Sequence, residues 1–99
     1  MKRTLSGNSR VVVARDQVSS DLGGETAILN FKAGKYYGLN AVGSCIWSLI
    51  QEPRTVEEIR DVLVSEYEVE PMRCERDLIA LLQRMAEDGI VEVRDGTST

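Results

Sequence analysis

Few side chains in this chain could do covalent chemistry. There are two cysteines, Cys45 and Cys74, and no histidine. A thiol pair can close a disulfide, cycle as a redox couple or hold a metal. The spacing fits no metal motif, no imidazole is available to complete a site, and a cytoplasmic chain rarely keeps disulfides. Each cysteine falls on the apolar side of a helical segment, so both read as buried thiols acting as small apolar side chains. Without histidine there is no ordinary nucleophile–base pair, and neither cysteine has an activating neighbour in sequence. Glu57 and Glu58 are adjacent carboxylates on a wet helical face, where ordinary surface charge explains them. No GxxxxGK loop or dinucleotide fingerprint occurs. The expectation is a chain without catalysis, with no cofactor and no metal.

The segment that positions everything else is Lys35 to Ile50, KYYGLNAVGSCIWSLI. It opens as a short aromatic strand, Lys35 to Leu39, and stops at Asn40. The Asn40 side-chain oxygen can accept from the orphan amides of a first helical turn. From Ala41 the period changes. Val42, Cys45, Ile46, Leu49 and Ile50 recur every three or four residues, which places them on one helical face. Gly43 and Trp47 lie four apart on its flank. The glycine either admits another backbone beside the indole or merely weakens the helix by roughly 1 kcal/mol.

KYYGLN followed by a helix with Gly43, Ile46 and Trp47 resembles the PqqD-like proteins, the RiPP recognition elements. The resemblance runs from about Val11 to Val93. It implies a small winged-helix-like domain that binds the leader segment of a ribosomally made precursor peptide and hands it to a processing enzyme. The chain is most similar to the free-standing leader-binding proteins of lasso-peptide pathways, where the partners are a leader peptidase and a cyclase. The related alternative is a peptide chaperone for a radical enzyme in quinone-cofactor biosynthesis.

Length and charge bound the reading. Ninety-nine residues make one domain. A hydrophobic fraction of 42% and a charged fraction of 28% are ordinary for a globular protein. The net charge is −4, which argues against nucleic acid, since phosphate binding needs a basic patch. No apolar run can span a bilayer and no signal peptide is evident, so a cytoplasmic protein is expected.

In order, residues 1–10 are a polar segment with Lys2, Arg3 and Arg10, expected to be a mobile tail. Val11 to Ala14 reads as a short strand. Residues 16–24 read as a loop ending in Gly23–Gly24. Glu25 to Phe31 alternates as a second strand and, through a tight connection at 32–34, forms an antiparallel hairpin with 35–39. Strand 35–39 is expected at the free edge of the sheet, because the chain leaves it directly for a helix. The pattern leaves its inner face open; adjacency to the helix puts Leu39 and Tyr37 toward the core and Tyr36 outside or at the rim. The tyrosine pair reflects either strand propensity or a binding groove.

Thr55 and Glu58 form a capping box at the head of a second helix, with Val56, Ile59, Leu63 and Tyr67 as its buried stripe. Pro71 sits in the first turn of a third helix that stops at Gly89. Cys74, Leu78, Leu82 and Met85 lie mid-face there, with Leu81 on one side and Ile79 and Ala86 on the other. That arc exceeds the roughly 100° stripe one core needs. Either the helix is central and packs on several neighbours, or Leu81 lines a groove. Residues 90–93 form a last strand or simply pack down, and 94–99 are a tail.

The expected fold is α+β and winged-helix-like: a three-stranded antiparallel sheet followed by a three-helix bundle, over 11–93. The resemblance implies leader contacts from Lys35, Tyr36, Tyr37 and Leu39 on the strand and from Asp77, Leu81, Arg84 and Met85 on the third helix. It also implies a leader carrying a tyrosine and a nearby proline. The alternative from another class is a winged-helix DNA-binding regulator. Against it, Arg73, Arg76 and Arg84 face four acids, Glu75, Asp77, Glu87 and Asp88, on the helix that would have to enter a groove. A regulatory subunit without leader binding is the third reading.

Overall fold

The computed structural model describes residues 5–15, 17–32 and 34–94. The elements are β1 (Arg10–Val13), β2 (Gln17–Asp21), β3 (Thr26–Asn30), β4 (Lys35–Leu39), α1 (Ala41–Leu49), β5 (Arg54–Thr55), α2 (Val56–Tyr67), α3 (Pro71–Glu87) and β6 (Val91–Arg94). The architecture is α+β, with three helices and two three-stranded antiparallel sheets ordered β2-β3-β4 and β5-β1-β6.

Alternation sets the first sheet. Thr26, Ile28 and Asn30 of β3 are buried and Leu29 is exposed, so one face is dry. Register carries that parity across: Ile28 pairs with Tyr37, Thr26 with Leu39, and on the outer face Leu29 pairs with Tyr36 and Ala27 with Gly38. Leu39 therefore points inward and Tyr36 outward, as the adjacency argument expects. The β3–β4 hairpin is antiparallel, and among the described residues β4 pairs with β3 alone.

Three expectations change. The segment read as a loop contains β2, because QVSSD earns its strand by pairing with β3 rather than by apolar periodicity; its one branched apolar residue, Val18, faces solvent. The first strand does not join this sheet. It pairs with β6 and with the short β5, which lays fully buried Val11 into the helical core. The polar N-terminus is docked from Leu5 onward: Leu5 is only 4% exposed and Ser9 is buried. Gly7 and Ser9 accept through their carbonyls from the amides of Glu57 and Val56 at the start of α2. Residues 1–4 and 95–99, the remainder of the expected tails apart from Arg94, lie outside the described residues.

The helix caps follow the sequence signals. The Asn40 side chain accepts from the Gly43 amide at 2.9 Å. Thr55 and Glu58 close the reciprocal capping box at 3.1 and 2.9 Å. Pro71 opens α3, and Gly89 leaves it at φ +77°, the left-handed region glycine adopts without strain. Gly43 has its own reason, and it is a side chain rather than a backbone. A Cβ there would stand 3.1 Å from the Leu39 Cβ, so the last residue of β4 folds over the first turn of α1. The core gathers Ile28, Ile50, Ile59, Leu82, Met85 and Ile90, all fully buried. The two sheets are tied by Gln17, which donates to the Ile90 carbonyl at 2.6 Å. Arg60 bridges α2 to α3 through Glu75 at 2.7 Å.

Candidate functional site

Two features meet where β4 runs into α1. One is the edge of β4 that no strand pairs with among the described residues, a row of backbone donors and acceptors that can template another strand. The other is an apolar pocket of about 450 Å³ lying between all three helices. Val42 and Ile46 of α1 form one wall, Leu63 and Tyr67 of α2 another, and Cys74, Leu78 and Leu81 of α3 the third. Glu70, Arg73 and Asp77 bring charge to it. Val42, three residues past the end of β4, joins the strand edge to this pocket.

The eight residues expected to hold a peptide do not share one wall. Asp77 and Leu81 line the pocket, but no residue of β4 does. Tyr36 is 69% exposed on the outer sheet face, and Tyr37 is half-buried against the core. Leu39, at 8% exposed, is a core residue that shapes the start of α1. Arg84 is exposed beyond the pocket. Met85 is corrected outright: it is 1% exposed, sealed among core side chains, and presents no surface to a ligand. Lys35 contributes its backbone to β4, paired with Asn30, while its side chain lies outside the described set.

The pocket also contains residues that sequence reasoning did not propose: Val42, Ile46, Tyr67, Val69 and Arg73. For Val42, Ile46 and Tyr67 the signal is a surplus of apolar side chains on the helices; Val69, in the α2–α3 connection, and Arg73 carry no such signal. Periodicity places Tyr67 in the buried stripe, but α2 ends there and leaves it 39% exposed at the pocket. The wide arc of α3 resolves into core positions, Leu78, Leu82 and Met85, and two partly buried flanks, Leu81 toward the pocket and Ile79 with Ala86 on the other side.

Both thiols are free and half-buried against the core. Burial pushes the Cys45 thiol above its ordinary value of 9.0, with the Glu66 carboxylate adding to the effect. Burial and then Asp77 do the same for Cys74, against a smaller opposing pull from Arg60. A raised value keeps the thiol protonated, and the thiolate is the reactive form. Iodoacetamide at pH 8 should therefore alkylate the folded protein more slowly than the urea-unfolded chain, with the rate still rising above pH 9.0. Equal rates in the two states, followed by mass spectrometry, would show that the fold does not protect these thiols. Among the described residues no group of three or more His, Cys, Asp or Glu is placed to hold a metal ion, and no helix is long and apolar enough to cross a membrane.

The family described as coenzyme PQQ synthesis protein D (PqqD) matches residues 25–91, from the turn before β3 to the first residue of β6. The chain belongs to the PqqD family. Solved structures share its fold. One is TbiB1 in complex with the TbiA(beta) leader peptide, 38% identical, with a TM-score of 0.77 over 82% of this chain and 94% of that one. A lasso peptide synthetase B1 complexed with its leader peptide is 24% identical, with a TM-score of 0.74 over 83% and 96%. The PqqD truncation of Methylobacterium extorquens PqqCD, a stand-alone RiPP recognition element, is 19% identical, with a TM-score of 0.74 over 89% and 94%. No curated protein matches the sequence.

Proposed function

We propose that this PqqD-family protein binds the leader segment of a ribosomally made precursor peptide as an added strand on β4. It then delivers that peptide to a leader peptidase or another modifying enzyme. The observation that carries the reading is the edge of β4, paired only with β3 among the described residues, leading directly into α1, whose Val42 and Ile46 line an apolar pocket. Backbone pairing along the edge supplies affinity without regard to sequence, and a pocket at its end supplies specificity. An extended segment with one large apolar side chain fits both. The kind of partner is supported by the relatives, two of which are complexes with leader peptides.

The pathway we favour is that of a lasso peptide, with a separate peptidase and cyclase as cytoplasmic partners. The role is non-catalytic: the chain has no histidine, and its two thiols are held protonated. Duplex DNA is a poor alternative partner for α3, where three arginines face three carboxylates, with Asp88 a fourth at the C-cap.

The test is a titration of the isotopically labelled full chain with the TbiA(beta) leader peptide, followed by amide shifts. The amides of β4 should move, together with those of Val42 and Leu81 at the pocket. Binding that leaves β4 silent would refute strand addition.

A further inference from the structure

Gly38 is unexplained by the fold that contains it. It lies in the middle of β4, where glycine is unfavourable because it packs nothing and orders at an entropic cost. Two demands normally justify such a residue, a positive φ or a close neighbour. Gly38 has neither: it is not among the glycines with positive φ, and a Cβ added to it would meet nothing within 4 Å. Gly43 and Gly89 each meet one of those demands.

The space above Gly38 is part of a dip of about 320 Å³ on the outer sheet face. Leu22, Ala27, Tyr36 and the edge of Leu39 make its apolar sides, Thr26 and Asn40 add polar wall at the end of β4, and Glu25 is the one charged residue lining it. Leu22 and Tyr36 are both largely exposed. The dip is therefore a mixed trough beside Gly38, part apolar and part polar, with a single carboxylate, that of Glu25, that has no ion-pair partner among the described residues.

We propose that this trough is a second reading site for the leader, taking one long basic side chain, arginine or lysine. The inference rests on strand addition at β4. A strand added there points alternate side chains to the two faces of the sheet. One set turns toward the helices, and the other emerges beside Tyr36 and Gly38. The residue beside Gly38 lays its aliphatic stem across the bare glycine. Its stem is flanked by Tyr36 and its cation reaches Glu25, using the apolar stem and charged tip that such side chains combine. A Cβ at position 38 would occupy the path of the stem. An acidic side chain would be repelled by Glu25, and a short one would leave the dip unfilled.

The experiment is a positional scan of the TbiA(beta) leader peptide, with each position replaced in turn by Arg, Met and Glu. Binding is read by fluorescence polarisation against the full chain and against the Gly38→Val and Glu25→Gln variants. Valine suits a strand and meets nothing at this site, so Gly38→Val should fold at least as well as the parent, as thermal melting will show. On the parent, one position should prefer Arg over Met by about threefold and over Glu by about tenfold, typical of exposed ion pairs and more in low salt. Gly38→Val should weaken binding of the best peptide about tenfold and erase that preference. Glu25→Gln should erase the Arg-over-Met preference while sparing most of the affinity. A preference for Arg that survives both variants, or no such position, overturns the inference while leaving strand addition intact, provided the β4 amides still shift. Silent β4 amides overturn both.

Discussion

Leu81→Glu should weaken leader binding about thirtyfold while leaving a folded protein. The side chain is half-buried on the flank of α3 and lines the pocket together with Asp77 and Leu78. A carboxylate there would either stand desolvated in an apolar cleft or swing out and leave the leader anchor without its wall. It would also sit one helical turn from Asp77, a like charge at i−4 that adds a small penalty. Loss of an apolar anchor at an interface hot spot commonly costs about 2 kcal/mol, which is roughly thirtyfold in affinity. Leu81→Met keeps volume and polarity and should bind within about threefold of the parent. The measurement is leader affinity by calorimetry, with circular dichroism to establish the fold. A folded Leu81→Glu variant that binds within threefold of the parent would remove α3 from the site. Met85→Glu makes a telling contrast: Met85 is sealed in the core, so that change should unfold the protein rather than selectively weaken binding.

The contrast between Leu81 and Met85 shows what periodicity can and cannot deliver. Both lie within the apolar arc of α3, and a stripe wide enough for core and groove does not say which edge faces which. That is settled only by where α1 and α2 pack, which no window of α3 contains. Signals confined to a few residues were legible: the Asn40 cap, the Thr55–Glu58 box, Pro71 at the head of α3 and Gly89 at its end all stand in the structure. So did the parity of β4, because Leu39 must turn in to meet the helix it precedes. Strand β2 was not legible, because apart from the exposed Val18 its residues are polar, and pairing with β3 creates the strand. The pocket was hidden for a related reason. Each helix shows an apolar stripe, but the gap left where three stripes diverge belongs to none of them.

Leu5 is the sharpest case of structure invisible to local pattern, and it yields a large stability effect. A lone leucine in a run of Lys, Arg, Thr, Ser, Gly and Asn has no period, so composition assigns the segment to a solvated tail. The structure instead buries Leu5 in the core cluster and lets the carbonyls of Gly7 and Ser9 accept from the first amides of α2. Ser9 also accepts from the Ser6 amide through its hydroxyl at 3.0 Å, which closes the turn between them. Each interaction needs the others: the turn brings Leu5 back over the core, and the buried leucine holds the carbonyls against the helix. Leu5→Ala should therefore destabilise the protein by about 3 kcal/mol, within the range for large-to-small core substitutions. That is a large share of the 5–15 kcal/mol typical of a domain this size. Asn8→Ala, at an exposed position in the same turn, should change stability by no more than about 0.5 kcal/mol. Urea unfolding of both variants reads the difference directly. A Leu5→Ala midpoint indistinguishable from that of Asn8→Ala would mean that the segment is not docked. Because Leu5 lines neither the pocket nor β4, folded Leu5→Ala protein at low temperature should still bind the leader with near-parent affinity.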